Sequence, residues 1–121
     1  MKSKSKVTML VVAVLLSLLS SVNVQASQTG KCGDNITWTL DDKGNLELTG
    51  KGKMYDYSLM GAPWGTSIVS VTISEGIENI GKYAFSFCGK LTNVVIPNSV
   101  KEILEGVFRG CEGLETVVIG E

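Results

Sequence analysis

The chain contains no histidine, only two prolines and three cysteines, and its 11 lysines and arginines do not outnumber its 12 acids over 121 residues. Without histidine, neither a Ser-His-Asp nor a Cys-His catalytic arrangement can be assembled. The same absence leaves too few ligands for an ordinary zinc site, since three cysteines alone do not complete one. The lack of a basic excess removes the electrostatic footprint that a phosphate backbone requires, so nucleic acid is a poor partner. Long apolar runs are scarce as well. There is one, Val7–Val22, and it stands at the start of the chain.

That run follows the basic residues Lys2, Lys4 and Lys6 and precedes Val24-Gln25-Ala26, a small-residue cleavage pattern. Ser17, Ser20 and Ser21 interrupt it. A bilayer-spanning helix needs about 20 apolar residues, more than the run supplies, so residues 1–26 read as a cleaved secretory signal, leaving a mature chain of residues 27–121 with no further membrane span. Loss of the three signal lysines leaves 8 basic against 12 acidic residues, a net charge of −4. Export puts the mature chain outside the cell or on its surface, where disulfides are permitted. An odd number of cysteines leaves at least one unpaired.

What the sequence does contain is a repeat. Ile68–Lys90 set above Leu91–Gly113 aligns eight apolar positions, from Ile68/Leu91 through Val71/Val94, Ile73/Ile96, Ile77/Val100, Ile80/Ile103, Ala84/Val107 and Phe85/Phe108 to Cys88/Cys111. Five of these eight are identical, while none of the other fifteen aligned positions is, so the repeat is one of core, with its surface free to differ. A partial third unit covers residues 114–121, with Val117 and Ile119 in register. Val71-x-Ile73 and Val94-x-Ile96 have the two-residue period of a strand. The three-residue step from Phe85 to Cys88, and from Phe108 to Cys111, suits one helical turn. Each unit is therefore expected to be a coil of strand, bend, short extended piece and helical turn. Cys88 and Cys111 then point inward from adjacent coils as small buried thiols in an apolar ladder, at a separation that would also accommodate a bridge. Cys32 has no assignment.

Residues 27–67 precede the repeats. Ser27–Lys31 is short, polar and expected to be loose. Ile36-Thr37-Trp38-Thr39-Leu40 and Asn45-Leu46-Glu47-Leu48-Thr49 alternate around the turn cluster Asp41-Asp42-Lys43-Gly44, which predicts a β-hairpin whose apolar face covers one end of the coil stack. Gly50–Ser67 is rich in glycine and bulky apolar residues. It reads as an irregular connector packed over the first unit, or alternatively as an aromatic platform for sugars built on Trp38, Tyr57 and Trp64.

Ile68-x-x-Val71-x-Ile73 with Ile80-Gly81-x-x-Ala84-Phe85-x-x-Cys88, and Leu91-x-x-Val94-x-Ile96-Pro97-x-x-Val100-x-x-Ile103 with Phe108 and Cys111, resemble the BspA-like, treponemal-type 23-residue leucine-rich repeat. Cys32-Gly33, Trp38, Gly50, Gly52 and Ala62-Pro63-Trp64 are similar to the segment found in front of such repeats. The resemblance implies a mainly β, short leucine-rich-repeat solenoid. Its strands are parallel, its convex side is irregular with short helical turns, and a β-hairpin caps its N-terminus. It also implies a secreted or cell-surface protein that uses a solenoid face for adhesion or partner binding, without catalysis. Two departures stand out: Ser74 occupies the place of Pro97, and Leu104 replaces the glycine expected after Ile103, at a steric cost if that residue adopts a positive φ.

Between the buried strand residues lie two outward rows, Ser70, Asn93, Thr116 and Thr72, Val95, Val118, uncharged and short, which make a candidate face for a protein ligand on a host or cell surface. A carbohydrate-binding module using Trp38, Tyr57 and Trp64 is the alternative, and an accessory part of a secreted hydrolase a remote one. The carboxylate pairs Glu75/Glu78 and Glu102/Glu105 fall at bends and read as solvated surface, where a glycosidase needs two carboxylates across a cleft. No catalytic, metal or cofactor residue is assigned. If the chain is complete, the outer edge of Val117–Ile119 is open to pairing with another strand.

Overall fold

The computed structural model describes residues 27–120; the expected signal, residues 1–26, lies outside them. Alternating side chains place Ile36–Leu40 (β2) and Asn45–Gly50 (β3) in the expected antiparallel hairpin, Trp38 opposite Leu48 and Leu40 opposite Leu46. Ile36, Trp38, Leu46 and Leu48 are buried, with Leu40 packed at the margin. Asp41 organises the turn: its carboxylate accepts from the Lys43 and Asn45 amides, both at 2.9 Å, and from Asn45 Nδ2 at 2.9 Å.

The residues expected to be loose instead belong to a strand, Gln28–Gly33 (β1), antiparallel to β2. Only Cys32 and Gly33 are buried in it, so its apolar signal is weak. Backbone pairing and the Thr29 hydroxyl, which donates to Trp38 O at 2.8 Å, hold it in place. Gly30 lies opposite Trp38, where a side chain would meet the indole.

The hairpin does more than lie over the end of the stack. Its strand β3 pairs in parallel with Ser70–Ile73 (β4), matching Leu46 with Val71 and Leu48 with Ile73. The next strand of the repeats, Asn79–Ile80 (β5), lies in a different sheet. Asn93–Ile96 (β6) pairs in parallel with β4, and Thr116–Ile119 (β8) with β6, giving a six-stranded sheet ordered β1-β2-β3-β4-β6-β8. Glu102–Ile103 (β7) pairs with β5 in a two-stranded parallel sheet. Three turns of solenoid thus separate β3 from β8. Between the two sheets lies the core, dominated by Phe85 with Ile68, Ile77, Ile80, Leu91, Val94 and their hairpin counterparts. The coil stack buries the apolar ladder because each unit covers the apolar face of its neighbour.

On the convex side no helix occurs among the described residues. The helical turn expected from the Phe-x-x-Cys spacing is a chain of three-residue-span turns, with Ala84, Ser86 and Cys88 amides donating to Gly81, Tyr83 and Phe85 carbonyls. Positive φ at Tyr83 (56°) and Phe87 (61°) interrupts any helix. Their counterparts in the next unit are Gly106 (69°) and Gly110 (73°), and Met60 (57°) holds the place of Tyr83 one period earlier. Each aromatic side chain leans forward onto the glycine of the following coil, where a Cβ on Gly106 or Gly110 would meet the Tyr83 or Phe87 ring. Tyr83 also donates to Glu105 Oε2 at 3.1 Å, and Arg109 sits 6.0 Å from the Phe87 ring centroid.

The segment Gly50–Ser67 is a reduced coil. Gly52 bridges to Ile77 in parallel, as β5 does to β7, and the Tyr57 amide donates to Lys82 O at 2.9 Å. Several positions at which the first repeat differs from the second are its contacts to this segment. Ser74 hydrogen-bonds both backbone groups of Gly50, Asn79 accepts from the Met54 amide at 3.0 Å, and Ser86 accepts from the Met60 amide at 3.2 Å. Gly81 lies directly under the Tyr55 carbonyl, which leaves no room for a Cβ. Leu104, its counterpart, is not among the positive-φ residues. The glycine in the first repeat therefore reflects close approach of the connector, and the leucine in the second carries no backbone strain of that kind.

Candidate functional site

Strand alternation sends Val71, Ile73, Val94 and Ile96 inward, so Ser70, Thr72, Asn93 and Val95 face outward. The strand register then lines up the outward residues across the sheet. Ser70 pairs with Asn93 and Asn93 with Thr116; Thr72 pairs with Val95 and Val95 with Val118. All six are surface residues, Val95 at 43% and Val118 at 51% exposure, high values for valines in a sheet. Neighbouring strands about 4.8 Å apart put these side chains in van der Waals succession.

Both rows continue onto the hairpin. Asn45 precedes Ser70, and Thr29, Thr39 and Glu47 precede Thr72, so the second row crosses all six strands. Sequence reasoning missed this extension because the hairpin is out of step with the repeat: Leu46 and Leu48 precede Val71 and Ile73 by two positions more than the repeat period. The Leu-x-Leu pattern itself was the available signal. The extension adds the one charge of the row, Glu47, to a face that is uncharged across the repeats. At this end the face is hollowed into a groove of about 390 Å³ lined by Thr39, Asp41, Asn45, Glu47, Ser70 and Thr72. Asn45 Oδ1 accepts from the Ser70 hydroxyl at 2.7 Å. Donation from the Asn45 backbone amide, then from its side chain, holds the Asp41 carboxyl below its ordinary pKa, so it is an anion at neutral pH.

The three aromatics of the alternative site lie elsewhere. Trp38 and Trp64 are only 6% and 4% exposed. Trp64 stacks edge-on against both Trp38 (5.8 Å between centroids) and Tyr57 (5.6 Å) and lies 5.8 Å from Phe85, which stacks on Phe108 at 6.1 Å. Its indole N–H donates to Ala84 O at 2.9 Å. In place of an open sugar-stacking platform there is an internal aromatic cluster, in which Trp38 and Tyr57 meet Trp64 edge to face and both indoles are buried. Tyr57 is half-buried, and its hydroxyl has no protein partner.

Cys32, Cys88 and Cys111 are free thiols, the first two buried. Cys111 Sγ donates to Phe85 O at 3.0 Å, across one coil. Burial pushes Cys32 and Cys88 up to about 12, far from the range of a reactive thiolate. Cys32, which carried no assignment, is a core residue of β1. Glu75, Glu78, Glu102 and Glu105 are all exposed; Glu75 and Glu105 lie in turns, whereas Glu102 belongs to strand β7 and not to a bend, and Glu75 accepts from the Ser99 amide of the next coil at 3.1 Å. Among the described residues no three cysteine or acidic side chains converge as a metal site, and no helix is long and apolar enough to cross a membrane.

Residues 63–121 match a family described as a BspA type leucine rich repeat region (6 copies). No curated protein matches the chain. Among solved structures the chain is similar to a leucine-rich repeat protein from Eubacterium ventriosum ATCC 27560, with 30% sequence identity and a TM-score of 0.71. The match covers 78% of this chain and 26% of that one, so this chain spans about a quarter of the other's length.

Proposed function

Through residues 63–121 the chain belongs to the BspA-type leucine-rich repeat family, and from that premise we propose that it is a non-catalytic, secreted or cell-surface module that binds a protein ligand through the outer face of its sheet. The observation that carries this reading is the pair of solvent-facing rows, Ser70, Asn93, Thr116 and Thr72, Val95, Val118, on the parallel strands β4, β6 and β8, with no element packed over them among the described residues. Exposed valines at the far end provide apolar contact, and hydroxyl and amide groups at the near end provide hydrogen bonds, the mixture that interfaces combine. Repeat solenoids present such faces because successive coils stack the same positions side by side. The segment 1–26 supports export, and cleavage after Ala26 would give a protein whose N-terminal residue is Ser27.

The test uses ligands selected for binding to the chain from a displayed library of random linear peptides. Replacing Thr72, Val95 and Val118 together with lysine places three charged stems on the face, and is expected to abolish binding of the selected ligands while leaving the far-UV circular dichroism unchanged. Unaltered binding by that variant would reject the face. Mass spectrometry of exported material is expected to show a chain beginning at Ser27, and an intact residue 1 on exported protein would reject the signal.

A further inference from the structure

The sheet face is chemically two-ended, and its ends lie at fixed distances along the row that crosses it. At the hairpin end stands Glu47, exposed, between Thr39 on one side and Thr72 on the other, with no lysine or arginine adjoining it in the row. Beneath it the groove of about 390 Å³ adds the Asp41 carboxylate and the polar side chains of Thr39, Asn45, Ser70 and Thr72. Asp41 spends its oxygens on the Lys43 and Asn45 amides and the Asn45 side chain, so it contributes charge, whereas Glu47 projects from the middle of a strand with its carboxylate open to an incoming donor. At the other end the same row finishes in Val95 and Val118, the two exposed valines of the face.

We propose that the face takes an extended protein segment carrying a lysine or arginine that enters the groove beside Glu47, with apolar residues lying on Val95 and Val118. This rests on the reading of the outer face as a protein-binding surface, and adds to it the charge and spacing of the ligand. The occupant follows from charge complementarity: two carboxylates lie at one end of the face, neither row carries a cation, and the mature chain has a net charge of −4. A guanidinium or ammonium would make charge-assisted hydrogen bonds to Glu47 while the flanking threonine hydroxyls accept hydrogen bonds from its remaining N–H groups. Spacing follows from strand geometry. Val95 is two strands from Glu47 and Val118 three, about 10 and 14 Å at about 4.8 Å per strand. An extended segment crossing the strands advances about 3.3 Å per residue and turns every second side chain to the sheet, so the apolar residues should stand two and four positions from the basic one, the first leaning onto Val95 and the second over Val118.

The experiment selects peptides from a random linear library displayed on phage against the full chain, then measures their affinities as synthetic peptides. Enrichment of a lysine or arginine with apolar residues two and four positions away is expected. Glu47→Gln should weaken the selected peptides at least tenfold, Glu75→Gln at the bend less than twofold, and the Glu47 effect should shrink as salt rises from 50 to 500 mM, values chosen to span about 14 to 4 Å of screening length. If the triple lysine variant of Thr72, Val95 and Val118 abolishes binding but Glu47→Gln changes it less than twofold, the face stands and the basic ligand is wrong. If the triple variant leaves binding intact, the underlying face is wrong. Selected peptides without a basic residue would likewise overturn the proposal.

Discussion

Gly106→Ala isolates the forward lean of one coil onto the next. At φ 69° an alanine incurs about 1–2 kcal/mol of left-handed strain. Its Cβ would also meet the Tyr83 ring, and displacing a packed group costs about 1–3 kcal/mol. The ring is only half-buried and can swing toward solvent, so the second cost belongs at the low end and the sum is about 2–3 kcal/mol. Urea denaturation followed by tryptophan fluorescence measures it, and with a slope of about 1–2 kcal/mol per molar the midpoint should fall by about 1–3 M. The same substitution in a Tyr83→Ala background should cost only the backbone share, about 1–2 kcal/mol, because the ring it strikes has gone. The difference between the two backgrounds, about 1 kcal/mol, is the coupling of ring to glycine. Gly89→Ala is the control: it has no positive φ and nothing within 4 Å of a built Cβ, and should change stability little. A loss below about 0.5 kcal/mol for Gly106→Ala, or equal losses in both backgrounds, would refute this reasoning, given that most surface substitutions lie within that range.

Three further outcomes follow from the core and the connector. Trp38 and Trp64 should emit at short wavelength and keep that emission when mono- and oligosaccharides are added, since both indoles are internal; a sugar-dependent shift would restore the carbohydrate reading. Gly81→Ala should cost more than Leu104→Gly, because the first drives a Cβ into the Tyr55 carbonyl while the second removes a half-buried side chain, and a reversed order in urea titrations would contradict the close approach. The thiols of Cys32 and Cys88, raised by burial from 9.0 to about 12, keep their protons in the native state after those of the unfolded chain are lost. The stability they confer is therefore complete below about pH 9 and declines as pH rises toward 12, by up to about 1.4 kcal/mol per pH unit for each thiol. Denaturation midpoints that stay level from pH 8 to pH 11 would contradict it, as would rapid labelling of either thiol by a thiol reagent in the native protein at pH 8.

Much of the solenoid was legible in the chain. The eight apolar positions of the repeat period are all buried in the first unit, whereas in the second Ile103 is exposed and Val100, Phe108 and Cys111 are only partly buried; the strands β4, β6 and β8 fall where that period puts them. What escaped was whatever did not repeat. β1 is paired through its backbone and shows only Cys32 and Gly33 to the core, so its side chains carry no alternation to read. The hairpin strand β3 joins the parallel sheet two positions out of period. The outward rows were legible from Thr72 onward because they alternate with buried residues, but Glu47 was not, since its place in the row depends on the β3–β4 register. Differences between units that look like free surface variation, such as Ser74 for Pro97, Asn79 for Glu102 and Ser86 for Arg109, are fitted to backbone groups of the connector. A single unit contains nothing that announces that fit. Likewise the Phe-x-x-Cys spacing is shared by a helical turn and by the series of tight turns, and only the positive φ at Tyr83 and Phe87 separates them.

The glycine under each leaning aromatic bears on how such an array could have grown. A gene duplication that copied Ile68–Lys90 directly after itself would set a second tyrosine on the spot now held by Gly106 and a second phenylalanine on that of Gly110, each with its Cβ in the ring of its predecessor. A newborn copy of this coil would therefore be a poor neighbour for its parent until those two codons changed. A copy of Leu91–Gly113, which has glycine at both places, would meet no such obstacle. Lineages lengthening this array should thus expand from coils of the second type, leaving the aromatic type near the hairpin.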